Sequence, residues 1–310
     1  MGSSSPQPLS RATLALIWAV LPGPLLLLLF ALPLTTVLLP VLLVPTIGLF
    51  WWNQSSPIAK QADFQTLIWT YILTGTIGTT LVILVQSLLS YGFTMIISGS
   101  EFEAFFEQFG KNEKDLAEMD YIELASRRQM SRRWEYWAYL VFLSFGLAGL
   151  IEEYLKYTAL GLARRYGRAT KRQDFLIVTV AAVLGFSTIE NIGFVYAAVQ
   201  AEQPLGELIM TVMERVVVGP VGHSLPAILI GFNVIQREFD NRPLSLFDIL
   251  REPVLFYGAA DFMLFGISAI NGNVGWIHPG GTLLYLMFAL VFAMQIGFAF
   301  HVRRQLKSFA

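Results

Sequence analysis

Apolar runs of about 20 residues, the length a helix needs to cross a bilayer, recur along nearly the whole of this chain with short polar breaks between them. That spacing excludes a water-soluble core. A soluble domain carries about a quarter charged residues, whereas this chain is 55% hydrophobic and 14% charged. Inside a bilayer each backbone N–H and C=O must be satisfied within its own segment, so such runs fold as helices. The expected class is all-α: a polytopic membrane helix bundle of about eight transmembrane helices, integral and multi-pass.

The expected spans cover about 12–32, 34–52, 67–97, 136–162, 174–199, 207–235, 249–271 and 281–302. The first two form a tight hairpin around Pro33, and Pro22, Pro24, Pro40 and Pro45 predict kinks within them. The first apolar stretch lacks a small-residue cleavage site and reads as a retained helix, not a signal peptide. The one sizeable polar segment, 98–135, carries Phe102, Phe105, Phe106, Phe109, Leu116, Met119 and Ile122 at helical intervals. It reads as one or two amphipathic helices, lying on the membrane surface or packing on the bundle. Residues 1–310 thus form a single membrane domain with N-terminal helices (12–97), the amphipathic segment (98–135), a core (136–271) and a last transmembrane helix (281–302).

A net charge of -1 gives no nucleic-acid footprint, and the absence of Cys removes disulfides, thiolate nucleophiles and Cys-ligated metals. Arg164, Arg165, Arg168, Lys171 and Arg172 crowd one short loop and mark it cytoplasmic. Alternation then places Arg127, Arg128, Arg132 and Arg133 on the opposite face, against the charge rule.

Four consecutive core spans carry ionisable groups near one depth: Glu152, Glu153 and Lys156; Glu190 and Asn191; His223; Asp261. A charged side chain costs roughly 2.5–3.5 kcal/mol at the centre of a spanning helix, so such a set implies a buried polar site. Glu152 and Lys156 stand i,i+4 in the order that suits a structural ion pair, the alternative to a functional role; Glu153 points about 100° away and needs another partner. Glu190 and Asn191 suit either a site or a helix–helix clamp. Gly219, Pro220, Gly222 and Pro226 predict a backbone bent open around His223. Arg215 and Glu214 pair with each other or with a site carboxylate, while His278 and His301 read as structural. A Glu–His pair can activate water for peptide hydrolysis, with His, Asn or Arg donors at the oxyanion. A divalent metal such as zinc, with Glu153, Glu190 and His223 as candidate ligands, is a second route. A proton-coupled transporter needs the same carboxylates.

Glu152-Glu153-x-x-Lys156, then Phe186-x-x-x-Glu190-Asn191 with Tyr196, then Arg215, Pro220, His223 and Gly231, resemble in order the motifs of the PrsW intramembrane proteases. These belong with the CAAX-type prenyl endopeptidases and the Aph subunit of gamma-secretase. The resemblance covers about 136–271 and implies a PrsW-like catalytic core cleaving a membrane-protein substrate within the lipid bilayer. It implies Glu152 and Glu153 as the water-activating pair with Lys156 as charge partner, Glu190 completing the cluster, and His223 orienting water or stabilising the oxyanion. It leaves metal and glutamate mechanisms open. One departure stands out: the family's fourth motif is a His followed four residues later by Asp, and here Tyr257 precedes Asp261. That substitution keeps open a non-catalytic scaffold like Aph.

Overall fold

A computed structural model describes residues 9–20, 33–55, 63–166, 168–203 and 205–307. Every regular element among them is helical. Three short helices come first: α1 (Arg11–Val20), α2 (Pro33–Leu42) and α3 (Val44–Ser55). Helix α4 covers 64–98, starting where the Asp63 carboxylate caps the N–H groups of Gln65 and Thr66. Helices α5 (Phe102–Gly110), α6 (Glu113–Glu118) and α7 (Tyr121–Arg132) make up the polar segment. Then come α8 (Trp134–Arg165), α9 (Arg172–Gln200), α10 (Leu205–Phe239), α11 (Leu246–Ile270) and α12 (Thr282–Lys307).

Six of these helices are long and apolar enough to cross a membrane: α4 with its continuation into α5, and α8 to α12. The count of eight is not reached among the described residues. The expected first span is described only as α1, and residues 21–32, with Pro22 and Pro24, lie outside the described residues. The expected second span is broken at Leu43 into α2 and α3, two residues ahead of Pro45, whose ring cannot donate back into the helix.

Helix α9 is buried along most of its length and forms the axis of the bundle, with α4, α8 and α10 against it, while α12 is largely exposed at the periphery. Helices α8 and α11 cross closely because two glycines leave room. A Cβ at Gly149 would stand 3.0 Å from the Val254 carbonyl, and one at Gly258 would overlap the Phe145 ring. Two apolar clusters fill the ends of the bundle. One joins Leu160, Phe175, Val178, Ile230, Val234 and Ile249. The other joins Phe105, Tyr136, Tyr139, Leu140, Phe265 and Val274, and so docks α5 onto the start of α8. Along α8 and α11 the polar residues fall between these clusters.

Candidate active site

Each of α8 and α10 contains a π-helical stretch beside the polar residues, at Phe142–Glu152 and Glu214–Val218. Such stretches leave carbonyls without their usual helical donor. In α10 the cause is legible: Gly219 N–H bonds to Glu214 O, so Arg215 O falls opposite Pro220, which has no N–H. The Asn191 amide fills that gap, donating to Arg215 O at 2.8 Å. Gln295 from α12 donates to Val218 O at 3.0 Å, and Gln86 from α4 donates to Leu147 O at 3.0 Å. Three side-chain amides on three helices thus hold the irregular backbone on which the site is mounted.

His223 is the hub. Its Nε2 lies 2.9 Å from Glu190 Oε2, and its Nδ1 faces Glu152 Oε2 at 3.9 Å. With Glu190 ionised, Nε2 carries the proton and Nδ1 presents its lone pair towards Glu152. Among the described residues neither Nδ1 nor Glu152 Oε2 has a hydrogen-bond partner, although both are buried. Gln86 donates to the other Glu152 oxygen at 3.2 Å. The Phe186 ring packs edge-on against the imidazole, and the Tyr257 ring lies beside it with its hydroxyl 3.4 Å from Nε2. Arg215 approaches Glu190 at 3.9 Å and stacks over Phe194. Glu190 and Arg215 keep 20% and 18% of their side chains exposed, whereas Glu152 and His223 are sealed, so the site communicates with its surroundings on the Glu190 side.

Two sequence expectations change. Lys156 pairs with Glu153 at 2.5 Å, i,i+3, and not with Glu152. On the regular helix that begins at Glu153 both i,i+3 and i,i+4 residues are neighbours, and Glu152 is turned to Gln86 and His223 while Glu153 is left for Lys156. Asn191, whose amide is spent on Arg215 O and Ser187 Oγ, braces the backbone and presents no donor to the site. Asp261 is half-buried one turn beyond Tyr257 and makes no hydrogen bond among the described residues. Glu214 turns from Arg215 to His278, 3.2 Å away.

Gln86 and Gln295 were not singled out in the sequence. A lone glutamine in an otherwise apolar span is the available signal, since an amide there needs a protein partner.

A zinc site takes three or four protein ligands. Glu190 holds His223 Nε2 and Glu153 holds Lys156, each through one carboxylate oxygen, so two of the three candidate ligands are already engaged with other side chains. No three His, Asp or Glu side chains among the described residues are grouped to hold an ion. The candidate ligands Glu153, Glu190 and His223 therefore do not fit a metal as arranged.

Bundle and site together define a polytopic membrane protein with a buried carboxylate–imidazole centre. A family model for PrsW family intramembrane metalloproteases matches residues 121–295, more than half of the sequence, and the chain belongs to that family. It is 29% identical over 130 residues to Protease PrsW of Clostridioides difficile, covering 40% of this chain and 52% of that protein. It is 28% identical over 124 residues to Protease PrsW of Shouchella clausii, covering 39% and 54%. The chain thus spans about half the length of these curated relatives. No solved structure matches it.

Proposed function

We propose that the chain is an intramembrane endopeptidase that hydrolyses peptide bonds in or near membrane segments, using a water activated between Glu152 and His223. The observation that carries this reading is the pair of buried, unpartnered atoms Glu152 Oε2 and His223 Nδ1, 3.9 Å apart. A water hydrogen-bonded to both directs its remaining lone pairs at a substrate carbonyl carbon. As the water oxygen bonds to that carbon, its proton passes to Glu152 and the carbonyl oxygen becomes an oxyanion. The Tyr257 hydroxyl and the Arg215 guanidinium are the neighbouring donors for that charge. Collapse breaks the C–N bond, and Glu152 returns the proton to the leaving amine. Glu190 holds the imidazole in the tautomer this requires. Glu153 with Lys156 serves as a buried structural pair.

The test is cleavage of quenched transmembrane peptides by purified wild type and Glu152→Gln. We expect cleavage by wild type and loss of at least a hundredfold in kcat in the variant, with an unchanged melting temperature. A well-folded wild type that cleaves nothing on a broad panel supports the second reading, a proteolytically silent scaffold, which Tyr257 favours by standing where the family has His.

A further inference from the structure

The four arginines that break the charge rule fall into two pairs. Arg127 is buried and donates to Gln108 O at 2.5 Å and to the Val274 carbonyl, tying α7 to α5 and to the loop before α12. Arg133 is engaged by Glu101 and Glu135. Those two are internal fasteners. Arg128 and Arg132 are exposed, stand i,i+4 on one face of α7, and form no ion pair among the described residues. With Gln129, Leu124, Ala125 and Tyr121 they make up one exposed face of α7. The level of that face is set by the chain itself. Trp134, 68% exposed, opens the span α8 two residues after Arg132, and Tyr121 and Ile122 are also exposed. Exposed aromatics at the end of a span sit among lipid headgroups, and two residues reach at most ~7 Å. Arg132 therefore lies at the depth of the lipid phosphates, where a guanidinium binds an anionic oxygen pair as a planar fork.

We infer that the Arg128–Arg132 face of α7 is a binding surface for the headgroup of an anionic phospholipid in the leaflet where α8 begins. Charge complementarity selects this occupant: two unpaired cations at phosphate depth, beside Gln129 as a further donor and Leu124 and Ala125 as an apolar flank. Arg127 keeps the helix docked, so the cationic pair is presented by a fixed element.

The experiment is native mass spectrometry of the full chain in mild detergent, titrated with phosphatidylglycerol or phosphatidylcholine. Variants are Arg128→Gln/Arg132→Gln, Arg128→Lys/Arg132→Lys, and Arg303→Gln/Arg304→Gln at the far end of α12. About fivefold in affinity per basic residue near an anionic surface gives about 25-fold for the pair. The expected result is a wild-type preference of about that size for phosphatidylglycerol, lost in the double Gln variant. It is largely kept in the double Lys variant, which controls for folding, and is untouched at Arg303 and Arg304. Competition by millimolar inorganic phosphate would overturn the inference in favour of a soluble-anion site. No wild-type preference, or one that survives in the double Gln variant, would overturn it outright.

Discussion

The Gln86 amide donates at 3.2 Å to Glu152, the carboxylate that faces His223, from a helix outside the stretch matched to the family. The same amide holds Leu147 O in the π-helical stretch just before Glu152. One side chain therefore sets both the backbone that carries the glutamate and the glutamate's orientation.

Gln86→Leu strands a buried carbonyl and a carboxylate oxygen. Leaving such groups unsatisfied costs about 1–3 kcal/mol, so a lower melting temperature in detergent is expected. In peptide cleavage the loss should fall on kcat with little change in KM, because Gln86 is placed behind Glu152 and away from the Glu190 opening.

Glu153→Gln and Lys156→Met separate structure from chemistry. Breaking a buried pair by removing one partner costs about 3–5 kcal/mol, whereas replacing both is often close to neutral. Each single substitution should lower the melting temperature, and the Glu153→Gln/Lys156→Met double variant should recover most of it. Cleavage should return along with stability. A double variant that is stable and inactive would move Glu153 into the chemistry.

Chelation addresses the mechanism directly. The family is described as metalloproteases, yet no three His, Asp or Glu side chains among the described residues are grouped to hold an ion. Cleavage should persist after prolonged dialysis against a strong chelator. Loss of activity restored by zinc would require Glu190 to leave His223 and join an ion.

At the end of the bundle, His278 sits between Glu113 of α6 and Glu214 of α10, at 3.5 and 3.2 Å. Burial opposes its charge, but the hydrogen bonds to Glu113 and Glu214 outweigh it and push the imidazole up to about 10 from 6.5. A raised folded-state value contributes stability that is fully present below pH 6.5 and is lost as pH rises towards 10. Burial would raise the Glu113 carboxyl, and the bond from His278 overrides it, so Glu113 is lowered and its contribution fades below about pH 4.5. Protection of residues 111–118 against hydrogen exchange, taken relative to the intrinsic rate at each pH, should therefore be greatest near pH 5–6.5 and fall in alkali. His278→Gln should abolish that pH dependence.

The helical class and its long spans were readable from run length alone, since a bilayer leaves an apolar run few alternatives. Counting 1.5 Å per residue brings Glu152 and Glu190 only to within roughly 10 Å of one depth, and in the structure both reach His223. The choice of Glu153 over Glu152 by Lys156 was not legible. Partners at i,i+3 and i,i+4 are both in reach on a helix, and the choice follows from Gln86 and His223, which engage Glu152 from other helices. Gln86 and Gln295 escaped notice because a neutral amide carries no charge signal, and their carbonyl partners become available only through the irregular backbone of other helices. Arg127 and Arg133 resembled topology signals because sequence cannot separate a buried fastener from a solvated charge.

The amide-to-carbonyl ties have a mechanical consequence. Gln86 stitches α4 to α8, Asn191 stitches α9 to α10, and Gln295 stitches α12 to α10. Spreading any of these seams ruptures a hydrogen bond that the bilayer offers no solvent to replace. These helices are therefore coupled against sliding and prying, and the part-exposed Glu190 and Arg215 stand on a seam that Asn191 itself pins, so the side on which the site meets its surroundings is held at a fixed width.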